Sequence, residues 1–461
     1  MQPQCQIESQ PVEPFEPRDG ARAAARRLER LVTGAVHVPG AAGYDAARRT
    51  LDPAFDSRPA VVVEAAGAAD VRTALVIARE HDLPLAVQAT GHGTRVPCDG
   101  GVLIRTSRIA TVLVDPDRRV ARVGPGARWG AVLAAAAPFG LAPLSGSSPD
   151  VGVAGYTLGG GLGWLARRHG FAADSLLRAE VVTAEGALVT ASPAEHPDLL
   201  WALRGGGGNF GLVTAMEIAL HPVTEVYAGT VLFPADRAAE TLARYRDWAQ
   251  DVPDALSTAL LVTTMADAPE VPETVRGRRV LALKAMHAGR PEEAERLLAP
   301  LRAVAGPALV DGLRPTRFAD AAMGGTPPRR LDLFEDLPDP VVAAVAGAAA
   351  GTVEVRHWGG AMARPGADAG PVGHRATRFS VIADAADPTL VAAVAPHATG
   401  GSFLNFLGDP ARVHTAYTPA NWRRLRDAKR AYDPDNVFRV GPSIPPAEAP
   451  RRRVAGARLR W

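Results

Sequence analysis

The 461-residue chain has only two cysteines, Cys5 and Cys98, and only two lysines, Lys284 and Lys429. Two thiols supply neither a disulfide framework nor a thiolate metal site, and they fit a reducing, cytoplasmic setting. Charge of one sign is also lacking: 51 Lys+Arg against 49 Asp+Glu leaves a formal +2, carried almost entirely by arginine. That balance excludes general affinity for polyanions, so no nucleic-acid partner is expected. The one basic run, Arg451 to Arg453 with Arg458 and Arg460, reads as a solvated tail. No stretch reaches the roughly 18 apolar residues of a membrane span. Met1 to Arg18 carries Gln, Glu and Pro where an export signal needs an apolar core, so this stretch reads as a disordered leader. The histidines nowhere show a short ligand spacing with a nearby acid, and no G-x-S-x-G elbow occurs, so neither a metal site nor a serine hydrolase is expected.

What is present is ordinary globular material with an excess of turns. Hydrophobic residues are 47% and charged residues 22%, enough apolar surface to fold, and the length suits two or three domains of roughly 150 residues. Gly 46 and Pro 40 point to many tight turns and close backbone approaches. Helical spacing covers Gly20 to Val32. From Pro59 a strand, helix, strand unit is predicted over Ala60 to Glu64, Asp70 to Glu80 and Leu83 to Ala89. A second round follows in Thr111 to Val114, Arg119 to Val123 and a helix from Trp129 to Ala137 closed by Gly140. Alternation on both sides of Glu185-Gly186 predicts a hairpin over Glu180 to Ala191, so the sheet is mixed and α+β fits better than a doubly wound fold. Beyond His221-Pro222 a new alternation predicts strands near Tyr227 to Phe233, Thr258 to Thr264 and Val280 to Met286. Helices are predicted at Ala235 to Gln250 and Glu292 to Val304. Gly324 to Pro328 and Arg364 to Gly373 read as mobile rims, Pro419 to Ala431 as a helix, and Tyr432 to Asn436 as a turn.

Three glycine clusters carry the chemistry: Thr90-Gly-His-Gly93, Gly152 to Gly163, and Arg204 to Gly211. Backbone amides approach a diphosphate closely only where side chains are missing, so clusters at strand ends point to a large phosphorylated cofactor. Gly206, Gly208 and Gly211 satisfy G-x-G-x-x-G, but the motif needs a following helix, and Leu212 to Ile218 alternates like a strand. Nicotinamide binding there is disfavoured. His92 stands between Gly91 and Gly93 directly after a strand, a place where a ring is not core packing.

The runs Pro84 to His92, Gly100 to Ile104, Arg122 to Trp129, Val151 to Gly155, His196 to Gly205 and Asn209 to Val213 resemble the flavin domain of the berberine-bridge-enzyme-like oxidoreductases, within the vanillyl-alcohol-oxidase superfamily. The resemblance returns at Phe403 to Phe406 and Tyr432 to Phe438. It implies a two-part PCMH-type FAD-binding domain and a substrate domain with an antiparallel sheet covered by helices. The expected division is 1–54 leader and helix, 55–222 FAD domain, 223–415 substrate domain, 416–450 returning segment and 451–461 tail. The resemblance further implies that His92 binds the flavin 8α-methyl carbon covalently, and that Ala89, Thr90, Gly91, His92 and Gly93 contact the FAD diphosphate. Ser148, Val151, Gly152, Gly155, Tyr156, Gly160 and Val213 would lie along the cofactor, with Asn436 and Phe438 closing over it.

Relatives often carry a second tether through cysteine where this chain has Ser148, so attachment through His92 alone is expected; Cys98 reads as a small buried thiol. Phe403 replaces a frequent tyrosine base two positions before Asn405, which stays among the catalytic candidates. Tyr156 stands where many members have histidine, and supplies either a phenolic hydroxyl or ring packing. His357 and His374 are substrate-side candidates or structural residues. Val151 is small at the position that gates oxygen, favouring dioxygen as acceptor. The expectation is an oxidase acting on a small alcohol, amine or secondary metabolite, uncharged or aromatic because the second-domain strands hold few charges. The alternative is a flavin-containing cyclase or metabolite-sequestering protein without net redox turnover. Nothing in the residues sets an oligomeric state.

Overall fold

The computed structural model describes residues 19–385 and 387–448; the expected leader and basic tail lie outside the described residues. The first lobe is built on a four-stranded sheet ordered Ala35–His37, Val61–Glu64, Val102–Arg105, Leu85–Gln88. The last three are parallel, as β-branched runs buried on both faces permit, and the helix Ala68–Glu80 carries the chain between two of them. Ala35–His37 joins antiparallel, and the helix Asp19–Leu31 packs in the same core through Ala21, Ala24 and Leu28. A boundary at residue 54 therefore cuts a helix and a strand away from the sheet they complete. Asp70 fixes this junction: it is buried, and its carboxylate accepts from the backbone N–H groups of Thr33, Gly34 and Ala66 at 2.9 Å each.

The second lobe is a five-stranded antiparallel sheet ordered Val112–Asp115, Val120–Val123, Leu212–Ala219, Leu176–Val182, Leu188–Ala191. Here the expected hairpin forms, with Gly186 in its turn at φ +82°. The single mixed sheet of the sequence analysis is thus two sheets, one mostly parallel and one antiparallel. Strand Leu212–Ala219 follows Gly211 directly, with no helix after the third glycine cluster.

The chain from Glu225 builds an eight-stranded antiparallel sheet containing Glu225–Pro234, Leu256–Thr264, Arg279–His287, Arg330–Phe334, Val353–His357 and Phe379–Ala383. Its outer face is covered by the helices Ala238–Trp248, Pro291–Ala305, Asp339–Gly347 and Pro388–Val394, through residues such as Leu242, Leu298, Val341 and Leu390. Its inner face lies on the first domain, where Ala259, Leu261, Ala282 and Met286 pack with Leu144, Trp164 and Tyr156. The loops expected as mobile rims are irregular but tied down. Lys284 and Glu354 bond the segment around Gly324–Pro328, while Arg204 and Asn421 bond the carbonyls of Asp368 and Pro371. The helix Pro419–Tyr432 returns to the second lobe beside Pro197–Leu203.

At the junction of the domains the His169 and His221 rings stack 4.0 Å apart, and neither Nε2 has a partner among the described residues. Burial lowers both to about 4, assisted by Arg168 and, for His169, by its neighbour. Because the folded values lie below the unfolded one near 6.5, the unfolded chain binds more protons in that window, and the pair's contribution is lost as pH falls from about 6.5 toward 4. Denaturation midpoints measured across this range are expected to decline more steeply for the native chain than for His169→Gln. Equal slopes would show that the stacked pair does not govern the decline.

Candidate active site

The site begins where the strand Leu85–Gln88 ends. Gly91 takes φ +82°, and a Cβ there would stand 2.9 Å from Gln88 Nε2 and 3.1 Å from the Leu51 nitrogen, so only glycine makes this turn without strain. The turn presents His92, half-buried, with Nδ1 2.9 Å from Thr90 Oγ1. Burial, followed by the nearby Arg128 cation, holds its pKa below the ordinary range, so at neutral pH the ring is neutral and keeps a nucleophilic lone pair.

Facing it is the stretch Ser148 to Gly152. Trp129 N donates to Val151 O at 3.0 Å, Gly130 N to Pro149 O at 2.8 Å, and Val153 N to Ala127 O at 2.9 Å, which lays this stretch along the start of the helix Trp129–Ala136. A Cβ on Gly152 would stand 3.2 Å from Thr90 Oγ1 and 3.8 Å from Ala89 Cβ, so the first two glycine clusters meet here. Beside them opens a cleft of about 340 Å³ lined by Ser107, Gly126, Arg128, Pro149 and Asp150. The exposed Arg128–Asp150 ion pair, 3.2 Å, sits at its edge. Ser148 uses its hydroxyl to accept from Asp150 N at 3.3 Å.

The short helix Val153–Leu158 starts with Gly155 exposed and carries Tyr156. The Tyr156 ring sits edge-on to Trp129, centroids 5.4 Å apart, in a socket where a Cβ on Gly146 or Gly161 would stand 2.9 or 2.5 Å from ring carbons. Its hydroxyl is buried without a partner among the described residues, and burial pushes its pKa up, so it is a proton donor rather than a base. Gly160 abuts the Phe403 ring, which is buried among Phe171, Trp358 and Phe406. Asn405 is spent on the backbone: Oδ1 accepts from Gly161 N at 2.8 Å and Nδ2 donates to Tyr156 O at 3.2 Å, clasping the C-terminal segment to the second cluster.

Val213 is buried in the strand Leu212–Ala219, beside an irregular register at Thr214. The third cluster is knotted to the chain end. Asn209 Oδ1 accepts from Ile444 N, and the fully buried Lys429 bonds Asn209 O, Asp433 and Phe438 O. In the segment so anchored, Asn436 adopts φ +53° and its Oδ1 is buried without a partner among the described residues.

Two candidates stand elsewhere. His357 shares the alternation of Val353 and Val355, so it turns toward the helices, stacks on Phe379 at 5.6 Å and has Nε2 2.8 Å from Arg167 Nη1. Burial and the Arg167 cation push its pKa well down, leaving a neutral core histidine rather than a substrate-side group. His374 donates from Nε2 to Thr415 O at 2.7 Å and pins a loop. The residues on the inward face of that same strand, Glu354 and Arg356, were not anticipated; the two-residue alternation of Val353–His357 is the signal that assigns them.

Neutral His92, the glycine-floored cleft and the orphaned Asn436 oxygen fit a flavin dinucleotide, with His92 offering a nitrogen, the 89–93 turn its amides and Asn436 an acceptor. Comparison with known proteins agrees. A family model described as FAD binding domain matches residues 59–192, and one described as berberine and berberine like matches 402–445. An uncharacterized FAD-linked oxidoreductase of Bacillus subtilis strain 168, YvdP, is 30% identical over 448 residues, covering 90% of this chain and 99% of that protein. The structure of 6-hydroxy-D-nicotine oxidase from Arthrobacter nicotinovorans superposes with TM-score 0.75 at 25% identity, covering 90% of this chain and 98% of the other. Berberine bridge enzyme from Eschscholzia californica shares the fold, with TM-score 0.76 at 20% identity over 93% and 99% of the two chains. No helix among the described residues is long and apolar enough to cross a membrane. The chain belongs to the berberine-bridge-enzyme-like family of FAD-linked oxidoreductases.

Proposed function

We propose that this protein is an FAD-dependent oxidase of small secondary metabolites, alcohols or amines, with its flavin attached through His92 alone and dioxygen as electron acceptor. The observation that carries the reading is the neutral, half-buried His92 in the turn that meets Gly152, with Ser148 rather than a thiol in the facing 148–152 stretch. Bound FAD would supply two-electron redox chemistry, as acceptor of a substrate hydride with dioxygen as the terminal oxidant. The chain's own residues hold and enclose. The 89–93 turn and the 148–152 stretch grip the cofactor from two sides, Tyr156 keeps a proton at its hydroxyl, and the inner sheet face excludes water from the reactant. Phe403, in its cluster of rings, has no proton to exchange.

The test is anaerobic mixing of the purified yellow protein with a panel of alcohols and amines. A substrate is expected to bleach the visible flavin band, and admitted air to restore it with hydrogen peroxide released. Product formed with the band intact would overturn the oxidase reading in favour of the cyclase.

A further inference from the structure

The middle strands Arg279–His287, Leu256–Thr264 and Val353–His357 bring two cations together on the inner face of the sheet. Lys284 and Arg356 both pair with Ala259, one from each side, so they stand two strands apart on one row with only a methyl group between them. With strands about 4.8 Å apart, the backbones of the two residues stand roughly 10 Å apart on either side of Ala259. The neighbouring row adds Glu354, which is fully buried and lies diagonally beside Lys284 across Leu261 and Ala282.

The hydrogen bonds leave both cations with open donors. Glu354 is engaged on both oxygens: Oε1 accepts from Arg356 Nε at 2.7 Å and Oε2 from the Thr326 hydroxyl at 2.7 Å. Arg356 is 7% exposed and lies over the Trp164 ring at 4.8 Å, yet neither Nη group has a partner among the described residues. Lys284 has no carboxylate of its own and donates to the backbone carbonyls of Met323 and Gly324, at 2.9 and 3.5 Å. One carboxylate against two cations leaves a net charge of about +1 at the edge of the buried face, which an anion would complete. Burial lowers the Lys284 pKa, a cost that an anion beside it would offset. The next inward residue along the strand, Met286, lines a cavity with Trp164, Ser147 and Phe318, which places the cluster at the border between the sheet and the flavin lobe.

We propose that Arg356 and Lys284 form a recognition site for a carboxylate on the substrate, the guanidinium fork gripping it bidentately and the ammonium completing it. The Met323 and Gly324 carbonyls hold the place that one carboxylate oxygen takes. A planar fork with two open donors matches a carboxylate better than any neutral group. This rests on the oxidase reading for the word substrate, and it replaces the uncharged molecule expected from the scarcity of charges in these strands: Lys284, Glu354 and Arg356 are turned inward.

The probes are benzoate and its uncharged isostere benzamide, titrated into the purified protein by calorimetry and by perturbation of the flavin band. Benzoate is expected to bind at least about tenfold more tightly than benzamide. Arg356→Gln and, separately, Lys284→Gln are expected to weaken benzoate about ten- to hundredfold and to leave benzamide unchanged. Thermal melting checks folding, and Arg356→Lys, which keeps the charge but loses the fork, should recover only part of the loss. Equal affinities for the two probes, no binding of either, or variants that bind benzoate like the native protein would each overturn the proposal. The calorimetric arm needs no flavin colour, so a colourless protein that still prefers benzoate would sink the oxidase reading and leave this site standing.

Discussion

Replacing His92 with alanine is expected to move all of the flavin from the protein pellet to the supernatant on acid precipitation, whereas the native chain should precipitate yellow. The effect is all-or-none because a covalent bond survives denaturation and contacts from a glycine turn do not. Among the described residues, neither Cys98 nor Ser148 offers a second attachment. Cys98, the sole cysteine among the described residues, is 2% exposed with its sulfur 3.6 Å from Val102 O, and burial pushes its thiol up to about 12, so it supplies no thiolate. Ser148 has no sulfur and uses its oxygen within its own turn. His92, by contrast, is neutral at neutral pH and needs no base to become a nucleophile. A tryptic peptide containing His92 and carrying the mass of FAD is the direct measurement. Colour that washes out of denatured native protein would falsify the tether, and a pellet that stays yellow in His92→Ala would place it on another residue.

The legibility of this protein in its sequence follows the physics of each segment. The strands Val61–Glu64 and Leu212–Ala219 announce themselves because β-branched, apolar residues recur where burial is two-sided, and the glycine turns because no other residue permits such close backbone approach. The strands Arg330–Phe334, Val353–His357 and Phe379–Ala383 went unread for the opposite reason. In Val353–His357 the inward residues are Glu354 and Arg356, so an alternation that ordinarily means one wet face belongs to a strand buried on both. The same inversion misled the placement of His357: beside glycines and a tryptophan it suggests a reactive group, whereas the period of two puts it with Val353 and Val355 under the helices. Ala35–His37 is three residues long and is fixed by Asp70 from far along the chain, a contact that no local pattern records. Both lysines of an arginine-rich chain are used where a compact ammonium meets backbone carbonyls, a preference visible only once the carbonyls are in place.

Lys429→Met is expected to cost about 3–5 kcal/mol of unfolding free energy, the largest loss any single substitution outside the apolar cores should produce. The ammonium is fully buried and each of its three protons has an acceptor: Asp433 Oδ2 at 2.6 Å, Asn209 O at 2.9 Å and Phe438 O at 2.9 Å. Asp433 is equally buried and also receives Val437 N at 2.7 Å and Phe438 N at 2.9 Å. Removing the cation strands a carboxylate and two carbonyls in the interior; methionine fills the volume but satisfies none of them. Asp433→Asn should cost a similar amount, because the amide nitrogen must face either the Val437 N–H or the Phe438 N–H and ammonium, and the buried lysine loses its counter-charge. Arginine at 429 should not rescue, since a planar fork cannot reach three acceptors arranged around one point. Asn209 lies in the third glycine cluster and Phe438 follows Asn436 in the closing turn, so the knot transmits to the cofactor: Lys429→Met should release FAD in urea well below the concentration that unfolds the strands, once His92→Ala has removed the tether. Urea denaturation followed separately by tryptophan emission and flavin fluorescence reads both effects. A stability loss below about 1 kcal/mol would mean that water reaches Asp433 in place of the lysine, and that the C-terminal segment is held to the flavin lobe by apolar packing alone.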